Sequence, residues 1–285
     1  MQYSTFAAID IGSYDVILEI FEISKKQGIR SVDKICHRME LGKDTYTLGK
    51  IRPEMEEELC RVLADFVRIM EGYRVDAYRA MASSAISEAA NSLYVLGKIR
   101  QLTGLSVTVL SNSEQRFLGY KALAAMEDNF NKVIEKGTAI LDLDGGSFQI
   151  SLFDKDALVT TQNIRMGSLR VRERLAGIQS ETEHYEEMVE ELIWNEVSSF
   201  KKMYLKDRKI ENIMLIGDVF TDSVYQNIEE KTTKIISREN FNTWYEKIIR
   251  QSPMELAVKL GIPLENASLM YPSAVIYKCL IDMME

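Results

Sequence analysis

The chain has 285 residues, 46% of them hydrophobic and 27% charged, a balance that allows a sizeable core and excludes a disordered or low-complexity chain. Its 35 basic residues against 43 acidic ones leave a formal charge of −8, which repels polyanions at long range and argues against a general nucleic-acid binder, although amides, a local basic rim or a bound cation could still hold phosphate at contact distance. Cys36, Cys60 and Cys279 are widely spaced and form no CxxC pair, and no apolar run reaches the roughly 18 residues of a membrane helix, so neither a disulfide framework, a zinc site nor a membrane partner is expected, and the setting read from the sequence is cytoplasmic.

Strand-like alternation opens the chain over Phe6 to Ile11, Val16 to Ile23 and Ile29 to Met39, broken at Gly12-Ser13 and at the turn region from Lys25 to Gly28. Pro53 to Tyr73 reads as a helix, with Pro53 suited to the first turn and Leu59, Val62, Leu63, Phe66, Ile69 and Met70 spaced for one apolar face. A strand over 75–82, a helix over 85–102 stopped by Gly104, a strand over 105–110 and a helix over 113–126 complete a β-β-β-α-β-α-β-α half. Residues 127–137 are polar and aperiodic, and the boundary between domain I (1–126) and domain II (127–285) is placed at their start.

Beyond that boundary the opening repeats. Strand patterns run over 139–143, 148–153 and 157–165, followed by a long helix over about 181–206 that carries Tyr185, Met188, Val189, Leu192, Trp194 and Val197 as apolar positions and Glu183, Glu186, Glu187 and Glu190 on a solvated face. A strand follows at 212–217. Ser252-Pro253-Met254-Glu255 is a capping-box start with proline at the first helical position, and Gly261 closes that helix. The final helix, around 268–284, is expected to be interrupted at Pro272 and to pack back on domain I.

The informative feature is a pair of similar segments, Asp10-Ile11-Gly12-Ser13 and Asp142-Leu143-Asp144-Gly145-Gly146-Ser147, close to half the chain apart. Each aspartate lies near the end of a strand pattern, before a turn that leads into another strand. Glycine lets turn amides approach an anion closely and serine adds a hydroxyl donor, so Gly12, Ser13, Gly145, Gly146 and Ser147 are candidate phosphate-binding positions. A carboxylate would repel phosphate directly, which assigns Asp10 and Asp142 to a bridging magnesium ion or a water. A Rossmann or P-loop signature is excluded because both need a helix directly after the glycines. Alone, such a turn is ordinary; repeated at half-chain spacing, it points to two facing tips that clamp a phosphate chain.

Further motifs follow in order. Ala82 to Asn91 is similar to the ATSALREAxN segment of the exopolyphosphatase/guanosine pentaphosphate phosphohydrolase family, and Val109 to Arg116 to its VISGxEEA segment. Asp142 to Gln149 resembles DIGGGSTE, and Met166 to Arg170 resembles the LGxxR segment, which adds Arg170 as a phosphate contact. The resemblance spans nearly the whole chain and implies two actin-like α/β domains of ribonuclease H type with a cleft between them. It also implies magnesium as cofactor, polyphosphate or guanosine penta- or tetraphosphate as ligand, and hydrolysis by an activated water; a homodimer stays open.

The departures bear on chemistry. The two family glutamates thought to position and activate the water are here Gln115 and Gln149, the family arginine is Ser87, and the asparagine of its opening motif is Tyr14. An amide orients water but takes no proton, and losing a positioned base costs about 10²- to 10⁴-fold. Glu114 and Asp144 are the candidate substitute bases, with Glu114 equally readable as a first-turn helix residue favoured by the dipole. Arg165, Arg172 and Arg174 are read as a basic rim or as phosphate contacts, and His37 and His184 carry no catalytic motif. Three functions are therefore weighed: a phosphohydrolase, a binding or sensing module that kept the clamp without the chemistry, and a nucleotide-dependent kinase or ATPase, whose glycine-rich loop is poorly matched by Ile216-Gly217-Asp218-Val219.

Overall fold

The computed structural model describes residues 3–126, 130–176, 185–206, 208–217, 220 and 237–284. The chain divides into two compact units, 1–119 and 120–285, with the division falling inside a helix, Asn112–Met126.

In the first unit, β1 (Ser4–Ile11), β2 (Asp15–Ser24) and β3 (Gly28–Arg38) form a meander, followed by α1 (Leu41–Leu48), α2 (Pro53–Gly72), β4 (Ala77–Ala82), α3 (Ser84–Ser87), α4 (Ser92–Thr103), β5 (Val107–Val109) and the first half of α5 (Asn112–Met126), whose second half belongs to the second unit. The sheet order is β3-β2-β1-β4-β5, with β1 antiparallel to β2 and parallel to β4. Strand periodicity turns Ala7, Ile9 and Ile11 of β1 and Val16, Leu18 and Ile20 of β2 into one buried face, covered by Leu59, Leu63 and Phe66 of α2 and by Val95 and Ile99 of α4. Each of the isoleucine, leucine, valine and phenylalanine side chains among them, taken fully out of water, contributes roughly 1.5–3 kcal/mol. The same alternation leaves Asp10 on the other face and exposed.

Two local readings are corrected. The single helix expected over 85–102 is a short turn of helix, α3, then a break, then α4, because the Asn91 amide pairs the extended backbone of Ile51, accepting from its N–H at 3.0 Å and donating to its carbonyl at 2.8 Å. Helix α1 escaped the pattern because it has little apolar periodicity. Polar bonds hold it instead: buried Asp44 accepts from the Arg52 backbone N–H at 2.9 Å and from its Nε at 2.8 Å, and Thr45 donates to the Ala85 carbonyl at 2.7 Å.

The second unit contains α6 (Phe130–Ile134), β6 (Thr138–Leu143), β7 (Phe148–Asp154), β8 (Ala157–Ile164), α7 (Ser168–Leu175), α8 (Tyr185–Phe200) running into a π-helical turn (Lys201–Leu205), β9 (Asn212–Gly217), α9 (Arg238–Ile249), α10 (Pro253–Leu260) and α11 (Leu264–Met283). Its sheet order is β8-β7-β6-β9, with β6 antiparallel to β7 and parallel to β9. That is the connectivity of β3-β2-β1-β4, so the duplication legible in the motifs is a duplication of topology, and the architecture is the actin-like α/β fold.

Of the long helix expected over 181–206, residues 181–184 lie outside the described residues. In the remainder, Val189, Ile193, Val197 and Phe200 form the buried stripe, whereas Trp194 is 47% exposed beside the Lys201 ammonium. The final helix is also corrected: α11 starts at Leu264 and runs through Pro272 without a break. Packing outweighs the lost backbone bond there, since Leu269, Met270, Ala274, Val275, Ile276, Tyr277 and Leu280 are buried and α11 packs on α7, α8, α9, α10 and β6. Tyr277 donates its hydroxyl to the Ile216 carbonyl of β9 at 2.6 Å. Tyr277→Phe removes that bond from the core and is expected to lower stability by about 1 kcal/mol, read by denaturant unfolding. The Ser252 capping box and the left-handed Gly261 stand where the sequence puts them. Among the described residues no helix is long and apolar enough to cross a membrane.

Candidate functional site

In the second unit, β6 and β7 close with Leu143 opposite Phe148, leaving Asp144, Gly145, Gly146 and Ser147 as the connection. One register step back, Asp142 of β6 stands opposite Gln149 of β7, and Gln149 opposite Asn163 of β8. The three side chains therefore share one face, and neighbours in such a row lie about 4.5–5.5 Å apart. Further down that face Ser151 and Thr161 continue the polar row, their hydroxyls 3.1 Å apart, beside Ile140 and Phe153, which pack on Phe130 and Ile134 of α6. Gln149 within this row is buried.

The turn itself is braced from three directions. Asp144 donates its backbone N–H to the Ser147 carbonyl at 3.0 Å, and its Oδ1 accepts the N–H groups of Gly146 and Ser147 at 2.6 and 2.8 Å. The start of α7 supplies donors to the turn carbonyls: Ser168 N–H to Asp144 at 3.1 Å, Arg170 N–H to Gly145 at 2.9 Å and Arg170 Nε to Gly146 at 2.8 Å. Asn163 donates its amide to Ser147 Oγ at 3.1 Å. Gly167 explains how α7 can start so close, because any Cβ there would overlap Asp144 O and Ser147 N. The structure thus gives Asp144 the role of a turn clamp and Arg170 that of a brace.

In the first unit the matching connection runs from Gly12 to Asp15, with Ile11 opposite Val16. Gly12 donates its N–H to the Asp15 carbonyl at 2.9 Å, and a Cβ at Gly12 would press on that oxygen at 3.0 Å. Ser13 is buried in a ring of three hydroxyls: Ser13 to Tyr46 at 2.6 Å, Ser13 to Ser84 at 3.1 Å and Tyr46 to Ser84 at 2.9 Å. Tyr14, in place of the family asparagine, is buried with the Arg38 guanidinium 5.6 Å over its ring. Ser87 is exposed and donates to the Ser84 carbonyl at 3.4 Å. Gln115 is half-buried in the first turn of α5.

Glu114 accepts from the Ser111 N–H at 2.9 Å and from its hydroxyl at 2.7 Å, while Ser111 Oγ accepts the Glu114 N–H at 3.3 Å. This is a reciprocal cap on α5. The Ser111 backbone bond, then the hydroxyl bond, hold the Glu114 carboxyl below its usual range. A depressed carboxyl stabilises the fold at neutral pH, and that contribution is lost as pH falls through its folded range; it is also a weaker base than a free glutamate.

Of the arginines near the turn, Arg172 is tied to Glu173 at 2.7 Å and donates to Ser268 of α11 at 2.8 Å, a structural link between helices. Arg174 points to the Met166 sulfur at 3.6 Å, and Arg165 is exposed. His37 meets Glu58 at 3.1 Å, and His184 lies outside the described residues, as do Asp218 and Val219. Burial pushes the Cys279 thiol up to about 12. Among the described residues no three His, Cys, Asp or Glu side chains make a ready metal cage. The donors beside the second turn, the Asp142 carboxylate and the Gln149 amide oxygen, are hard oxygens that fit magnesium, which takes one or two protein ligands and completes its shell with water and substrate phosphate.

Sequence reasoning passed over Asn163 and Tyr46, because neither sits in a motif and only strand register or tertiary folding brings them to the turns.

Comparison with known proteins places these features. Against the bifunctional 3-dehydroquinate synthase/phosphatase of Fusobacterium nucleatum the chain is 21% identical over 238 residues, 79% of this chain and 34% of that protein. Against exopolyphosphatase 1 of Mycobacterium leprae it is 25% identical over 144 residues, 50% of this chain and 41% of that protein. The chain thus spans well under two thirds of the length of these relatives. Among solved structures, an exopolyphosphatase from Cytophaga hutchinsonii superposes with a TM-score of 0.81 at 18% identity, covering 99% of this chain and 91% of the other. A Ppx/GppA family member from Aquifex aeolicus gives 0.75 at 19% identity with the same coverage. Residues 19–285 match the Ppx/GppA phosphatase family as a whole, and the chain belongs to that family.

Proposed function

We propose that this protein is a magnesium-dependent phosphohydrolase of phosphoanhydrides, acting on polyphosphate or guanosine pentaphosphate, with turnover limited by the loss of both family glutamates. The observation that carries the reading is the cross-strand row Asp142–Gln149–Asn163 set at a turn braced by Arg170, within a chain of the Ppx/GppA family. The names of the mycobacterial and Cytophaga relatives support polyphosphate as the substrate class. A cytoplasmic setting belongs to the same proposal.

Asp142 and Asp10 are the residues proposed to hold magnesium. When bound, the ion would offset phosphate charge and polarise the terminal phosphoryl group. Ser13, Ser87, Ser147 and the turn glycines Gly12, Gly145 and Gly146 are the proposed phosphate contacts, and Arg170 keeps the second turn in place for them. Gln115 and Gln149 would orient the attacking water by accepting its hydrogen bond, without removing its proton. Glu114 and Asp144 are carboxylates close by in sequence, but both are committed to hydrogen bonds of their own, which favours orientation over base catalysis.

That last observation also supports a second reading, a module that binds the same phosphate-rich ligands and does not turn them over. Phosphate release from polyphosphate and guanosine pentaphosphate, with and without magnesium, separates the two. Under the hydrolase reading Asp142→Ala abolishes a measurable magnesium-dependent rate. A rate no higher than that of Asp142→Ala, with ligand binding intact by calorimetry, leaves the binding module.

A further inference from the structure

We propose that Asp144 is a specificity-determining residue that guards the second turn: its carboxylate fills the amides an incoming phosphate oxygen would need, so a phosphate group enters only by displacing it. This inference rests on the phosphate-binding reading of the turn.

The two halves of the molecule supply the comparison. The bond from Gly12 N–H to the Asp15 carbonyl at 2.9 Å has its counterpart in the bond from Asp144 N–H to the Ser147 carbonyl at 3.0 Å, and strand register sets the two connections in equivalent positions. Asp144 is therefore the structural equivalent of Gly12. Where the first turn carries a hydrogen atom, the second carries a carboxylate that reaches two and three residues along and takes the N–H groups of both Gly146 and Ser147 on one oxygen. A carboxylate oxygen receiving two amides is what a bound anion would look like at this turn. The backbone cannot readily yield instead, because Ser168, Arg170 and the Arg170 guanidinium pin the carbonyls of Asp144, Gly145 and Gly146 from behind. Displacement must then come from rotation of the Asp144 side chain. A phosphate approaching without that rotation meets both occupied donors and a like charge at contact distance.

The test is titration of tripolyphosphate into the full chain in the presence of a chelator, using the natural protein, Asp144→Gly and Asp144→Asn. Asp144→Gly removes the occupant and is expected to bind at least tenfold more tightly. Asp144→Asn keeps an oxygen on the two amides without the charge and is expected to fall between. Amide nitrogen spectra should show Gly146 and Ser147 shifting on titration in Asp144→Gly and staying in place in the natural protein at the same ligand concentration. Equal or weaker binding by Asp144→Gly overturns the inference while leaving the phosphate reading intact if the natural protein binds. Binding by none of the three, in chelator or with magnesium added, overturns both. Should Asp144→Gly fail to fold because its turn is unclamped, Asp144→Asn decides: tighter binding than the natural protein supports the guard, and unchanged binding refutes it.

Discussion

Restoring both glutamates, Gln115→Glu with Gln149→Glu, is expected to raise magnesium-dependent phosphate release from polyphosphate by about 10²- to 10⁴-fold. The reason is local. Gln149 is buried on the strand next to Asp142, in direct register with it, so a carboxylate there lies beside the proposed magnesium ligand and facing the turn. Gln115 occupies the first turn of α5, one residue from a glutamate already used as a cap, so the neighbouring carboxylate cannot stand in for it without uncapping the helix. Two adjacent carboxylates also repel, so Asp142 and the new carboxylate at position 149 would together hold a proton more tightly until a cation offsets their charge. The gain should therefore appear with magnesium and vanish in chelator, and affinity for magnesium should rise in parallel. A folded double variant that binds polyphosphate and releases no more phosphate than its parent would remove the missing-base explanation.

Gly217→Ala should produce a large loss of stability, roughly 3 kcal/mol, seen as a fall of about 6–12 °C in the melting temperature. Gly217 has φ +105, a conformation an alanine adopts only under strain, and its added Cβ would overlap the Leu143 carbonyl. Leu143 is its register partner and the last residue of β6 before the turn, so the displaced backbone is the one that carries Asp142 and Asp144. Gly97→Ala is the contrasting control: it lies inside α4 with nothing near the would-be Cβ, and it should gain about 0.5–1 kcal/mol. If both substitutions shifted the melting temperature alike, close backbone approach at Gly217 would not be the cause.

Much of the fold was legible because strand period and turn chemistry are local. The meander of β1 to β3, its repeat in β6 to β8, and the helices α2, α5 and α10 follow from alternation, an apolar stripe or a capping box read over a few residues. What local pattern misjudged was settled by contacts distant in sequence. Asn91 breaks an otherwise helical run because it serves the backbone of Ile51, and Pro272 fails to break α11 because the helix is buried along most of its length. Helix α1 is held by Asp44 and Thr45 rather than by an apolar face, and Trp194 turns outward because Ile193 takes the buried place.

The candidate site divides the same way. Sequence alone determined its parts list: the paired Asp-Gly-Ser turns, the glutamines where relatives carry glutamates, and Arg170 after the second turn. Those are identities, and identity is all that a motif encodes. Only the tertiary structure decided which hydrogen bond each group spends itself on. Asp144 and Glu114 are carboxylates of the right charge, yet one closes a turn and the other caps a helix, while Asn163 and Tyr46 arrive at the turns from outside any motif. The physical reason is that a carboxylate's chemistry depends on the donors within about 3 Å of it, and those donors are set by strand register and helix docking.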